Sequence, residues 1–181
     1  MRLFIAFNFS NQVKTYLKSV QDYLKHHTLS GKFTSFNNFH LTLRFLGEYP
    51  ESKVKLFCDI LDNVKEQKEP FFIKLGKLDS FVRENKHIVY MDILDKDKRL
   101  LDLANSLNLL VNEKLNCTNQ ERFKAHITLA REVILNTRLN DIKIKPYPEK
   151  ILVKDISLML SHRSINNELI YTPLYSVELM A

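Results

Sequence analysis

Two short segments of this chain pair an imidazole with a hydroxyl in the same way. They are His40-Leu41-Thr42-Leu43 and, 86 residues further on, His126-Ile127-Thr128-Leu129. Side chains alternate across a strand, so in each segment the histidine and threonine share one face and the aliphatic residues take the other. Each strand can bury its aliphatic face and present the imidazole beside the hydroxyl. Two such strands related by a pseudo-twofold axis would set two imidazoles and two hydroxyls around one cleft. That set suits in-line attack on a cyclic phosphodiester. A neutral imidazole takes a proton from the attacking water, an imidazolium opposite protonates the departing ribose oxygen, and the hydroxyls donate to nonbridging oxygens. Histidine fits both roles because its ordinary pKa of about 6.5 lies near working pH. A single His-x-Thr is weak, since a strand histidine is more often a hydrogen-bonded structural residue. Two copies with the same alternation, among only six histidines, carry the argument.

Other residue types narrow the chemistry. No cluster of His, Cys and carboxylates has metal-ligand spacing, and no glycine-rich phosphate loop is present, so neither a zinc site nor a P-loop nucleotide site is expected. Cys58 and Cys117 belong to no CxxC and suit a reducing compartment. His26 and His27 end a helix, where capping suits them better than catalysis. His87 begins a strand and reads as structural or exposed, and His162-Arg163 reads as a solvated turn near the cleft. Phe9, Phe36 and Phe123 are candidates for stacking on a base.

The elements that must position these residues follow from periodicity. Helices are expected over 11–27, capped by Ser10 or Asn11, and over 51–64 and 96–115, each with apolar residues at 3.6-residue spacing. Strands are expected over 3–9, 39–45, 71–81, 87–94 and 125–130, with a closing hairpin from 151–160 and 169–179. Gly47 and Pro50 are read as stopping the first motif strand. The mixture is α+β with mostly antiparallel sheets. With 181 residues, three glycines, five prolines and no linker-like stretch, the chain reads as a single domain over 1–181, built of two interleaved lobes. No apolar run approaches the roughly 20 residues of a bilayer span. The opening segment lacks a cleavage pattern, and a cytoplasmic location is expected. A formal charge of +6 permits an anionic partner without demanding one.

At these residues the sequence resembles the 2H phosphoesterase superfamily, and within it the RNA 2′,3′-cyclic phosphodiesterases, also called 2′-5′ RNA ligases. The likeness spans nearly the whole chain. It includes Arg2-Leu3-Phe4-Ile5-Ala6, the run from His40 through Arg44-Phe45-Leu46-Gly47-Glu48, and His126 through Ala130-Arg131. The resemblance implies two pseudo-symmetric lobes whose sheets face a central groove, with helices outside. It implies no cofactor and no metal, and hydrolysis of RNA 2′,3′-cyclic phosphate ends to a 2′-phosphate. His126 would be the base and His40 the acid, roles that exchange in the ligating direction. Thr42, Thr128 and Arg131 would hold the phosphate. By strand parity Arg131 falls on the wrong face, so it reaches the phosphate only if the strand bends or ends near Ala130. Otherwise it is a solvated charge. Arg44 has the right parity to contact a neighbouring phosphate, or pairs on the surface with Glu48 or Glu51. Expected partners are RNA ends or small cyclic nucleotides, with no membrane, and a monomer is expected. Two alternatives stay open: a related enzyme acting on another small cyclic or 2′-5′ linked nucleotide, and a non-catalytic module that binds RNA ends. The segment before His40 and the Leu160-Ser161 region depart from the family pattern and bear on substrate preference.

Overall fold

A computed structural model describes residues 1–118 and 122–180. The strands in chain order are β1 (Arg2–Asn8), β2 (Thr28–Phe33), β3 (His40–Glu48), β4 (Phe71–Arg83), β5 (Lys86–Leu94), β6 (His126–Leu135), β7 (Ile151–Val153), β8 (Asp155–Arg163) and β9 (Leu169–Glu178). The helices are α1 (Asn11–Lys25), α2 (Val54–Lys65) and α3 (Arg99–Leu115). The strands form two antiparallel sheets, β3-β1-β8-β9 and β2-β6-β5-β4-β7. Strands β3 and β6, which carry the two motifs, approach each other between the sheets. The α+β class with antiparallel sheets and outer helices is as expected.

Alternation explains how each sheet has a core face and a groove face. Leu3, Ile5 and Phe7 of β1, Leu41 and Leu43 of β3, and Ile127 and Leu129 of β6 are buried in one large apolar cluster. The cluster also takes in Val13, Leu17, Val20 and Leu24 from the inner face of α1, at the spacing of one helix stripe. Ser10 caps α1 by accepting the Val13 N–H. Gln21, fully buried, donates to the carbonyls of Thr34 and Leu129 at 2.8 and 2.9 Å, pinning α1 to β6. The α3 helix starts where the Asp95 carboxylate accepts from the N–H groups of Arg99 and Leu100, and ends at Asn116 in the left-handed region.

Several expectations need correction. The first motif strand does not stop at Gly47, which lies within β3 at φ 103° and pairs with Leu3 of β1. An unexpected strand, β2, follows α1; none of its residues is buried, so the burial pattern that marks a strand is absent there. The expected strand over 151–160 is two strands, with Lys154 as the crossing point between sheets. His162-Arg163 is the end of β8 rather than a turn. Phe9 is core, 5% exposed, and unavailable to stack on a base. Arg44 is 5% exposed, so its side chain is buried and does not lie at the surface.

Candidate active site

Both histidines are anchored in the same way. His40 Nδ1 lies 2.7 Å from the Asn38 carbonyl, and His126 Nδ1 lies 2.7 Å from the Lys124 carbonyl. A carbonyl only accepts, so each Nδ1 carries the hydrogen and in the neutral ring Nε2 is the lone-pair nitrogen. His40 Nε2 sits 3.0 Å from Thr42 Oγ1, so in that tautomer the hydroxyl donates to the ring. The Asn38 carbonyl is itself fixed. Its side chain donates to the Leu169 carbonyl at 2.7 Å and accepts the Tyr171 N–H, so β9 curls round to hold the approach to β3.

Each imidazole also belongs to a triangle of rings. His40 lies 5.0 Å from both Phe4 and Tyr171, which are 5.0 Å from each other. His126 lies 5.3 Å from both Phe81 and Tyr90, which are 4.6 Å apart. The Tyr90 hydroxyl donates to Asp79 at 3.0 Å and is met by the Lys124 ammonium, which also sits over the Phe81 and Tyr90 rings. Rotation of either ring would break both an Nδ1 hydrogen bond and edge-to-face packing.

Paired bulges aim the rest of the site. In β3 the register against β1 slips between Thr42 and Arg44 and again between Phe45 and Gly47. In β6 the register against β5 slips between Thr128 and Ala130 and again between Ala130 and Val133. The second slip includes a residue of positive φ in both copies, Gly47 at its end and Glu132 within it. A bulge resets the alternation of side chains. Arg131, on the wrong face by parity, therefore lines the groove with His40 and Thr42 although β6 runs on to Leu135. Phe45 holds the corresponding place on β3.

His40, Thr42 and Arg131 line a cavity of about 510 Å³. A second hollow of about 130 Å³ contains His126, Phe123 and Lys124, and meets the first at Thr42 and Phe45. Thr128 shares the strand face of His126, and the hydrogen bond described at this residue is to its carbonyl, from the Thr34 hydroxyl at 2.9 Å. Burial is the main cause that pushes His40 down to about 4, with the positive charges of Arg131, His126 and Lys14 adding to it. His126 is lowered too, first by burial, then by Arg131 and Lys124. One guanidinium thus acts on both rings. Among the described residues no three His, Cys, Asp or Glu side chains are grouped to hold a metal ion.

The family model described as LigT-like phosphoesterase matches residues 9–90. A protein of Archaeoglobus fulgidus named RNA 2′,3′-cyclic phosphodiesterase is 31% identical over 143 residues, 78% of each chain. The chain belongs to the LigT-like phosphoesterase family. Solved members of that fold superpose over nearly the whole length. A Thermus thermophilus structure matches with TM-score 0.83 and 25% identity, covering 99% of this chain and 98% of the other. Escherichia coli LigT, solved in complex with 3′-AMP, matches with TM-score 0.76 and 24% identity over the same shares.

In this LigT-like chain several residues that surround the histidines have no local signal in the sequence. Phe4 shares parity with Ala6 and Asn8 on β1, and Tyr90 with Asp92 on β5. Both signals become readable only once those strands are paired with β3 and β6. Asn38 and Lys124 stand two residues before each histidine, and that repeated spacing was available in the sequence.

Proposed function

We propose that this LigT-like phosphoesterase hydrolyses the 2′,3′-cyclic phosphate at an RNA 3′ end to a 2′-phosphate, with His126 as general base and His40 as general acid. Water attacks phosphorus in line with the P–O3′ bond, and its proton passes to His126 Nε2. The P–O3′ bond breaks as His40 Nε2 gives its proton to O3′, leaving a free 3′-hydroxyl and a 2′-phosphate. Solvent exchange restores the starting protonation. The Thr42 and Thr128 hydroxyls and the Arg131 guanidinium hold the nonbridging oxygens, where charge is concentrated.

What carries this reading is the identical tethering of two imidazoles by Nδ1, on strands that approach each other and beside two adjoining hollows, with one guanidinium acting on both. A module that only bound RNA ends has no use for two rings held in one tautomer. His40 has the strongly lowered pKa, and a donor with low proton affinity transfers readily to an alkoxide oxygen. A bound phosphate anion beside it raises its affinity for the proton and loads it for the reaction. The name of the Archaeoglobus relative and the 3′-AMP complex of Escherichia coli LigT support a nucleotide or RNA substrate.

The test is product analysis on a short RNA with a 2′,3′-cyclic end, with EDTA present, beside a 2′-5′ linked oligonucleotide. The expected product is the 2′-phosphate, from the cyclic end in preference. His40→Ala and His126→Ala should each lower turnover by about 10²–10⁴-fold with unchanged far-UV circular dichroism. Wild-type rates in both variants would remove the mechanism.

A further inference from the structure

The larger cavity extends well past His40. It runs along the groove faces of β3, β1 and β8 to Arg2 and Arg163, and no carboxylate stands among the described residues that line it. The guanidinium of Arg2 lies over the Phe45 ring at 5.2 Å from its centre, and that of Arg163 is steadied by the Asn167 carbonyl at 2.7 Å. Among the described residues, neither of them nor Arg131 has an ion-pair partner. Three guanidiniums at one hollow repel one another, and an anion between them relieves that cost. Phe45 lies three residues beyond Thr42 on β3, so the Arg2 end stands about 10 Å from the motif threonine. The ribose–phosphate backbone covers that span in a few nucleotides at most. Guanidinium is also the side chain whose fork of donors best matches a phosphate.

Resting on the reading above, we infer that Arg2 and Arg163 bind a phosphate of the strand upstream of the scissile cyclic phosphate, so that the preferred substrate is an oligonucleotide end and not a free nucleoside cyclic phosphate. Arg131 serves the reacting phosphate; Arg2 and Arg163 read that a chain is attached to it. The Phe45 ring, which packs under Arg2 and borders the hollow with Thr42, lies between the two phosphate positions.

The test compares a nucleoside 2′,3′-cyclic phosphate with dinucleotide and trinucleotide substrates that carry the same cyclic end. In the wild-type protein kcat/KM should rise with length, by about tenfold for each guanidinium engaged. In the double variant Arg2→Gln, Arg163→Gln the rise should disappear, and with it the salt dependence of the length preference. A flat length series in the wild-type protein would overturn the proposal, as would a rise that survives the double variant. Equilibrium binding of a 2′-phosphorylated trinucleotide against a nucleoside 2′-phosphate gives a readout free of turnover. If the trinucleotide binds more tightly through Arg2 and Arg163 while no cyclic end is opened, the anion site stands and the hydrolase reading falls. Hydrolysis with equal binding of both ligands has the opposite meaning.

Discussion

Two rings buried beside a guanidinium hold protons poorly, and that fixes the direction of the pH response. Burial disfavours the imidazolium of His40 and of His126, and the Arg131 charge disfavours it further on both. Both pKa values therefore lie below the usual 6.5 in the free protein. Under the proposed mechanism, turnover needs one ring protonated and the other neutral. Activity falls on the acid side as the base gains a proton and on the alkaline side as the acid loses its own. The bell in kcat/KM should accordingly sit on the acid side of neutrality, with its alkaline limb below about pH 6.5. Arg131→Gln removes a repulsive charge from both rings, so both limbs should move to higher pH while the maximum drops by roughly tenfold or more from the lost phosphate contact. Limbs that stayed in place would mean that Arg131 does not act on the two rings. A bell centred above neutrality in the wild-type protein would contradict the burial of His40.

At the scale of the strand, the aim of Arg131 depends on its neighbour. Glu132 adopts φ 53°, a conformation that glycine accepts freely and β-branched residues resist. Its ion pair with Lys32, at 2.6 Å, has both side chains half-exposed or more, and such pairs contribute about 0–1 kcal/mol. Glu132→Gly should therefore keep stability within about 1 kcal/mol of wild type and keep turnover. Glu132→Val should lose about 1–2 kcal/mol, seen as a lower urea midpoint, and should turn Arg131 away with a fall in kcat. Equal behaviour of the two variants would show that the bulge does not position the guanidinium. This bulge also marks where the sequence stops being legible. The repeated His-x-Thr and its apolar alternation place His40, Thr42, His126 and Thr128 on one face each, because strand parity is local. Arg131 defeats parity, because the extra residue that resets it is accommodated by the partner strand. Phe4, Tyr171, Phe81 and Tyr90 meet the histidines only through strand pairing, and Arg2 and Arg163 meet only because β1 lies beside β8. The exposed β2 and the crossing at Lys154 escape for a related reason: neither has a hydrophobic pattern that differs from its surroundings.

For the molecule as a whole, the path of the chain ties the two sheets together. It passes from one sheet to the other between β1 and β2, β2 and β3, β3 and β4, and β7 and β8. The helices cross over as well. The α1 helix leaves β1 but packs against β2 and β6 of the other sheet, and α3 leaves β5 but packs against α2 and β3. One contiguous apolar cluster draws on all three helices and both sheets. If either sheet opened, it would strip the other of a covering helix, and apolar burial is the main stabilising contribution to the fold. The chain should thus unfold as one cooperative unit. With seven tyrosines and no tryptophan, tyrosine fluorescence reports on Tyr90 in one sheet and Tyr171 in the other, while far-UV circular dichroism reports on the backbone. The two urea curves should superimpose, with one midpoint. A 2′-phosphorylated trinucleotide bound as proposed would contact both sheets through the groove, so at about 100 times its Kd it should stabilise the whole transition by about 2.7 kcal/mol. Both probes should shift together. Two separate transitions, or a ligand shift seen by one probe alone, would mean that the lobes are independent domains and that the two histidines are brought together by docking alone.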